Sequence, residues 1–232
     1  MNFNPAQQNA HGILSEAAMR ISRELVRKGA AAFFNPDYYQ RWRDWCHNFI
    51  SERLANTYGS HALEQNSEQR WIWQILPEYA NLCHNLPFVT LAMLRIQQEQ
   101  PSDLVIVQPI GSDYIAAALG SGCHTHNSRA RVSKLREPSS AMLYAGEGLP
   151  GMQRNFGSPL LEIAMVANGE LDAACWDQLS GFLCLAAKLM LSESGGMASN
   201  KKGDPLSADR TRDSLLIANP GLHARLAPLV DN

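Results

Sequence analysis

The chain has 232 residues, 45% hydrophobic and 18% charged, with 20 Lys+Arg against 22 Asp+Glu. That length makes one large domain or two small ones with a sizeable core, and a net charge of -2 argues against a basic nucleic-acid binder and against a polyacidic tail. No apolar run approaches the ~20 residues that cross a bilayer, and the opening MNFNPAQQNAHG is too polar for a signal peptide, so a cytoplasmic address is expected.

In chain order, Leu14, Ala17, Ala18, Ile21 and Leu25 recur at helical spacing and predict a helix that Gly29 ends. Asn35-Pro36-Asp37 predicts the start of a second helix, running from about Tyr38 to Asn56. A polar loop follows to Arg70. Strands are predicted at Trp71–Leu76, Phe88–Ile96, Leu104–Val107, Tyr114–Leu119, Ala130–Ser133 and Ala141–Ala145, with a turn at Gly111-Ser112-Asp113. Glycine-rich Gly146–Gly151 is the expected domain boundary. Beyond it come a helix over Pro159–Ala167 with Ser158 as its N-cap, a strand at Leu171–Cys175, a long apolar helix over Leu179–Ser194, a strand at Ser214–Ala218, and a helix capped by Asn219-Pro220.

The five cysteines, Cys46, Cys83, Cys123, Cys175 and Cys184, are odd in number and form no C-x-x-C pair. They predict reduced, mostly buried thiols. His124 and His126 beside Cys123 lack a fourth ligand nearby and are not expected to hold a metal. Trp42, Trp45, Trp71 and Trp73 are expected to pack the second helix onto the sheet.

Gly157-Ser158 through Glu162, Ala167, Gly169, Asp172 and Ala173 resembles the G-S-x-A-L-x-L-x-x-V-A-x-G-x-x-D-A pattern of the inositol monophosphatase family. Ala186-Ala187, Glu193-Ser194-Gly195-Gly196, Gly120-Ser121-Gly122 and Arg131-Val132-Ser133 echo further elements of that family, and Trp71-Ile72-Trp73 with Asn81, His84, Pro87, Phe88 and Val89 lines up with its metal-binding segment. The resemblance spans about Asp37 to Leu229. It implies a mixed α/β fold, the layered αβαβα sandwich of the inositol monophosphatase/fructose-1,6-bisphosphatase type, usually dimeric. It also implies Mg²⁺-dependent hydrolysis of phosphate monoesters. An α+β domain with an antiparallel sheet is expected over 1–145, and an α/β domain, trimmed near 146–151, over 146–232.

That chemistry needs clustered carboxylates around a hard cation. The matched positions read otherwise. The metal-binding aspartates fall on Gln74 and Pro77, the turn glycine on Glu78 and the catalytic threonine on Tyr79. The family's Glu-Glu pair falls near Asn66-Ser67, with Glu64 the nearest acid; its other aspartates fall near Arg43 and on Leu183, and a substrate-binding glutamate falls on Trp176. No catalytic residue, metal ligand or cofactor is therefore expected. The resemblance suggests a catalytically degenerate relative acting by binding, as a homodimer or with a protein partner, a role with precedent in a bacterial family member that takes part in transcription antitermination. Two alternatives stand beside it: altered chemistry or small-molecule binding in a pocket of Glu64, Glu78, Tyr79 and Arg43, or a residual phosphatase with other metal ligands. Glu64 and Glu78 otherwise read as surface acids on loops.

Overall fold

A computed structural model of the chain describes residues 3–65, 67–111, 113–126, 128–144, 149–206 and 211–230. It divides into two compact units, Met1–Ala116 and Ala117–Asn232. Among the described residues no helix is long and apolar enough to cross a membrane.

In the first unit, α1 (Pro5–Lys28) begins nine residues before the apolar stripe read from Leu14 onward. The reason is a capping box: Asn4 Oδ1 accepts from the Gln7 backbone N–H at 2.8 Å, and Gln7 Oε1 accepts from the Asn4 N–H at 3.3 Å. Buried Ala6 and Ala10 then extend the stripe. Gly29, at φ 76°, ends the helix as expected. Helix α2 (Pro36–Tyr58) starts where Asn35-Pro36 predicts, with Asn35 Oδ1 accepting from the Tyr38 N–H at 3.1 Å.

Strands β1 (Gln69–Ile75), β2 (Leu91–Gln97) and β3 (Gln100–Val107) form an antiparallel set in which Trp73 lies opposite Met93 and Met93 opposite Val105. Alternation along the strands puts Trp71, Ile75, Leu91, Met93 and Val105 on one face. They share a core with Leu14, Ile21, Ile50 and Leu54 of the two helices. A five-residue helix, α3 (Tyr79–Cys83), interrupts the β1–β2 connection. The strand order of this sheet is β1-β2-β3-β4-β5, where β4 is Tyr114–Ala118 and β5 is Gly122–Thr125, the residues from Ala117 onward being counted with the second unit.

The second unit holds β6 (Met142–Tyr144), β7 (Met152–Gln153), α4 (Pro159–Asn168), β8 (Ala173–Ser180), α5 (Gly181–Ser194), β9 (Met197–Ser199), β10 (Arg212–Ala218) and α6 (Pro220–Val230). Its sheet runs β7-β6-β8-β10-β9. Strand β6 is parallel to both neighbours, and β10 is antiparallel to both of its own. Leu222, Leu226 and Val230 of α6 cover the sheet face made by Ala173, Cys175, Leu216 and Ala218. Gly169 and Gly195 close α4 and α5 in the left-handed conformation, as their sequence positions predict.

Three local features differ from the sequence reading. Residues 130–133 form no strand; the Val132 N–H donates to Ser194 O at 3.3 Å instead. Ser158 occupies the N-cap position of α4 but makes no side-chain capping bond, and Glu162 reaches back to accept from the Phe156 N–H at 2.7 Å. Residues 117–144, read with the first domain, cluster with the second unit. Gly146, Glu147 and Gly148 of the expected junction lie outside the described residues.

Candidate functional site

In the first unit, the segment matched to the metal-binding turn leaves β1 at Gln74 and enters α3 at Tyr79. Gln74 Oε1 is buried without a hydrogen-bond partner. Pro77 is exposed and has no donor or polar side chain. Leu76 adopts φ 43°, a left-handed conformation that strains an L residue by on the order of 1 kcal/mol. Glu78 sits at φ -87°, so the family's glycine position here needs no glycine.

Glu78 is no surface acid: it is only 5% exposed. Its Oε2 accepts the Thr90 N–H at 3.0 Å and its Oε1 accepts the Thr90 hydroxyl at 2.8 Å. The carboxylate thus ties α3 to the residue before β2. Glu64, by contrast, is exposed at the end of a short 3-10 turn. The two acids therefore occupy opposite environments, one locked in the interior and one in solvent.

An aromatic cluster surrounds the same turn. The Tyr39 hydroxyl donates to Leu76 O at 2.5 Å, and its ring meets Tyr79 edge-on at 4.8 Å. The Tyr79 hydroxyl donates to Phe34 O at 3.1 Å. Burial pushes the Tyr39 phenol above its ordinary range, while the nearby Arg43 charge pulls it back. Arg43 lies with its guanidinium carbon 5.6 Å from the Tyr39 ring centroid, and its Nε is buried without a hydrogen-bond partner. Arg43, Tyr39 and Tyr79 are therefore brought together, with a cation where a carboxylate was expected from the resemblance.

Ser67 is committed to its own strand, its hydroxyl donating to Gln69 O at 2.9 Å. Asn66 lies outside the described residues. His84 is exposed and meets Phe34 edge-on at 5.2 Å, and burial raises the Cys83 thiol. Neither is arranged as a nucleophile–base pair.

In the second unit, Trp176 on β8 is 7% exposed and stacks on Tyr144 at 5.0 Å, its indole Nε1 buried without a partner. Leu183 is buried in the first turn of α5, where its N–H points to Ser180 Oγ. The motif residues Glu193 and Gly196 have structural work. Glu193 accepts the Gly120 and Gly122 N–H groups at 2.7 Å each, and a Cβ at Gly196 would fall 2.4 Å from Leu191 and 3.1 Å from Ala218 O.

All five cysteines are buried and free. Among the described residues, no three His, Cys, Asp or Glu side chains gather as a metal-ligand group, His124 and His126 included. Of the four tryptophans expected to pack the second helix onto the sheet, Trp71 is core at 3% exposed, and Trp73 is half-buried, its Nε1 donating to His47 Nδ1 at 3.1 Å. Trp42 and Trp45 are half-buried, packing against the helix–sheet core as expected, and their open sides line a groove with arginines of α1 and α2.

The sequence matches no protein-family profile. It is 26% identical over 184 residues to an inositol-1-monophosphatase of Rhizobium meliloti, covering 68% of this chain and 64% of that protein. It is 22% identical over 160 residues to the Nus factor SuhB of Xylella fastidiosa, covering 61% and 58%. The chain thus spans less than two thirds of these curated relatives. The extragenic suppressor protein SuhB of Bartonella henselae shares the fold with a TM-score of 0.83 at 22% identity over both whole chains. Inositol monophosphatase II of Staphylococcus aureus does so at 0.86 and 18% identity, covering 98% of this chain and 94% of that one. The sequence is similar to inositol monophosphatases and to SuhB, and the chain shares their fold. Its mixed α/β fold with two five-stranded sheets is that of these neighbours.

Proposed function

We propose that this chain is a catalytically degenerate inositol monophosphatase relative that acts by binding, as a homodimer or with a protein partner. Glu78 carries the reading. It is the one acid between Gln74 and Tyr79, and both of its oxygens are engaged by Thr90. At the other described positions matched to the family's metal ligands stand an arginine, a serine tied to its own strand, a proline, a leucine and one amide oxygen.

A hard cation such as Mg²⁺ takes oxygen ligands in near-octahedral geometry, with carboxylates supplying the charge. A single amide oxygen does not fit that demand, and the Arg43 charge opposes it. Phosphoryl transfer in such sites rests on charge stabilisation, so without the metals little rate enhancement remains. One curated relative is named for a Nus factor, not for an enzyme, which supports a binding role.

Calorimetric titration of the full chain with Mg²⁺ tests the reading. No saturable heat is expected. A saturable Mg²⁺ event that Gln74→Ala removes would overturn it.

A further inference from the structure

Helices α1 and α2 of the first unit face each other with two stripes at helical spacing. Glu16, Arg20, Glu24 and Arg27 come from α1; Tyr38, Trp42, Trp45 and Phe49 come from α2. Between them runs a groove made of two cavities of about 340 Å³ and 440 Å³ that share Arg20 and Trp45. Trp45 stacks on Phe49 at 5.2 Å and 20°, and meets Trp42 edge-on at 5.5 Å. The Arg20 guanidinium lies 5.0 Å from the Trp45 centroid and 5.5 Å from that of Phe49. Arg53 approaches the Phe49 ring at 5.2 Å, and Glu16 braces both Arg20 and Arg53.

The groove floor is fixed. The Tyr38 hydroxyl donates to Glu24, and Arg27 binds the same carboxylate in two-pronged fashion at 2.7 and 2.8 Å. Those bonds, that of Tyr38 first, hold the Glu24 carboxyl below its ordinary range. Arg41 is different: it is exposed, lies 5.8 Å from the Tyr38 centroid, and makes no ion pair or hydrogen bond among the described residues.

We propose that this groove docks an acidic segment of a partner protein, seating one apolar side chain against Trp42 and a carboxylate on Arg41. The inference rests on the binding role proposed above and names the kind of partner. Of the three arginines lining the first cavity, Arg20 is paired with Glu16 and Arg27 with Glu24, which leaves the Arg41 charge to favour an anion. Arginines laid on rings are held with their N–H edges outward, the geometry that carboxylates accept. Trp, Tyr and Arg are also the residues that anchor protein interfaces.

A stacked single strand of nucleic acid fits less well, because base stacking needs free ring faces and those of Trp45 are taken by Phe49 and Arg20. The recognised chemistry is a discrete carboxylate beside an apolar anchor.

Selection of random phage-displayed peptides on the full chain tests this, followed by affinity measurement with Arg41→Glu and Arg23→Glu. Arg23 is exposed on the other flank of α1, outside the groove. Selected peptides are expected to be rich in Asp and Glu around an aromatic or aliphatic residue. Arg41→Glu should weaken them about tenfold or more, Arg23→Glu should not, and both variants should keep the parent circular dichroism spectrum and melting temperature. Neutral or basic selected peptides, or equal binding by Arg41→Glu, would overturn the proposal. So would saturable binding of single-stranded oligothymidylate that Arg41→Glu abolishes, or a stable dimer of the chain that Arg41→Glu dissociates. These results bear on the groove alone; Mg²⁺ binding or phosphatase activity bears on the degenerate reading, so the two can fail separately.

Discussion

Thr90 binds both oxygens of the Glu78 carboxylate, one through its backbone N–H at 3.0 Å and the other through its hydroxyl at 2.8 Å. Thr90 is fully buried and Glu78 nearly so. At a position where the resemblance places a turn glycine of the reaction site, this chain has built an internal brace between α3 and β2.

If Glu78 is a brace, its removal should be felt in stability. Glu78→Ala leaves two buried donors of Thr90 unmatched and should cost about 3 kcal/mol. Glu78→Gln keeps one acceptor and should cost about 1 kcal/mol. Urea unfolding followed by circular dichroism reads both values. A neutral Glu78→Gly, restoring the family residue, would contradict the assignment.

His223 on α6 is buried against Ser199, 2.9 Å from its Oγ, and burial lowers its pKa below the ordinary 6.5. The unfolded chain then binds a proton that the folded chain resists. Stability should fall as pH drops through 6.5 toward the depressed folded value. His223→Gln should flatten that part of a stability–pH curve, while the parent keeps it.

The Gly195-Gly196 pair is expected to tolerate change unequally. A Cβ at Gly195 meets nothing within 4 Å, although its φ of 84° disfavours one, whereas a Cβ at Gly196 meets Leu191 at 2.4 Å, Val132 at 2.8 Å and Ala218 O at 3.1 Å. Gly196→Ala should lower stability by about 2 kcal/mol, and Gly195→Ala by about 1 kcal/mol. Thermal unfolding of the two variants makes the comparison.

Thiol chemistry offers a simple check on the interior. Burial pushes Cys46 and Cys123 up to about 12, and Cys175 and Cys184 to about 11. The thiolate is the reactive form. The native chain should be nearly silent toward a disulfide reagent at neutral pH, with all five cysteines reacting once denaturant is added.

Much of the fold is legible wherever the deciding chemistry is local. Asn35-Pro36 starts α2, Gly169 and Gly195 end their helices, and Asn219 caps α6 through the Leu222 N–H at 3.0 Å. Tyr79–Cys83 was illegible because five residues carry no periodicity, and Met197–Ser199 pairs only by virtue of β10. Residues 130–133 look like a strand by composition, yet their backbone is drawn to the end of α5. At the site, the exchange of residue types is plain in the sequence. The partner of Glu78 is not, since Thr90 lies twelve residues on and meets it only through the register of β1 and β2. The groove stripes were present in sequence as Glu16, Arg20, Glu24 and Arg27, but the apolar stripe of the same helix masks them.

The most direct test is phosphate release from inositol monophosphate by the full chain with excess Mg²⁺. The account predicts no release above a protein-free blank, with or without a chelator. Mg²⁺-dependent turnover that a chelator abolishes and Gln74→Ala removes would contradict it.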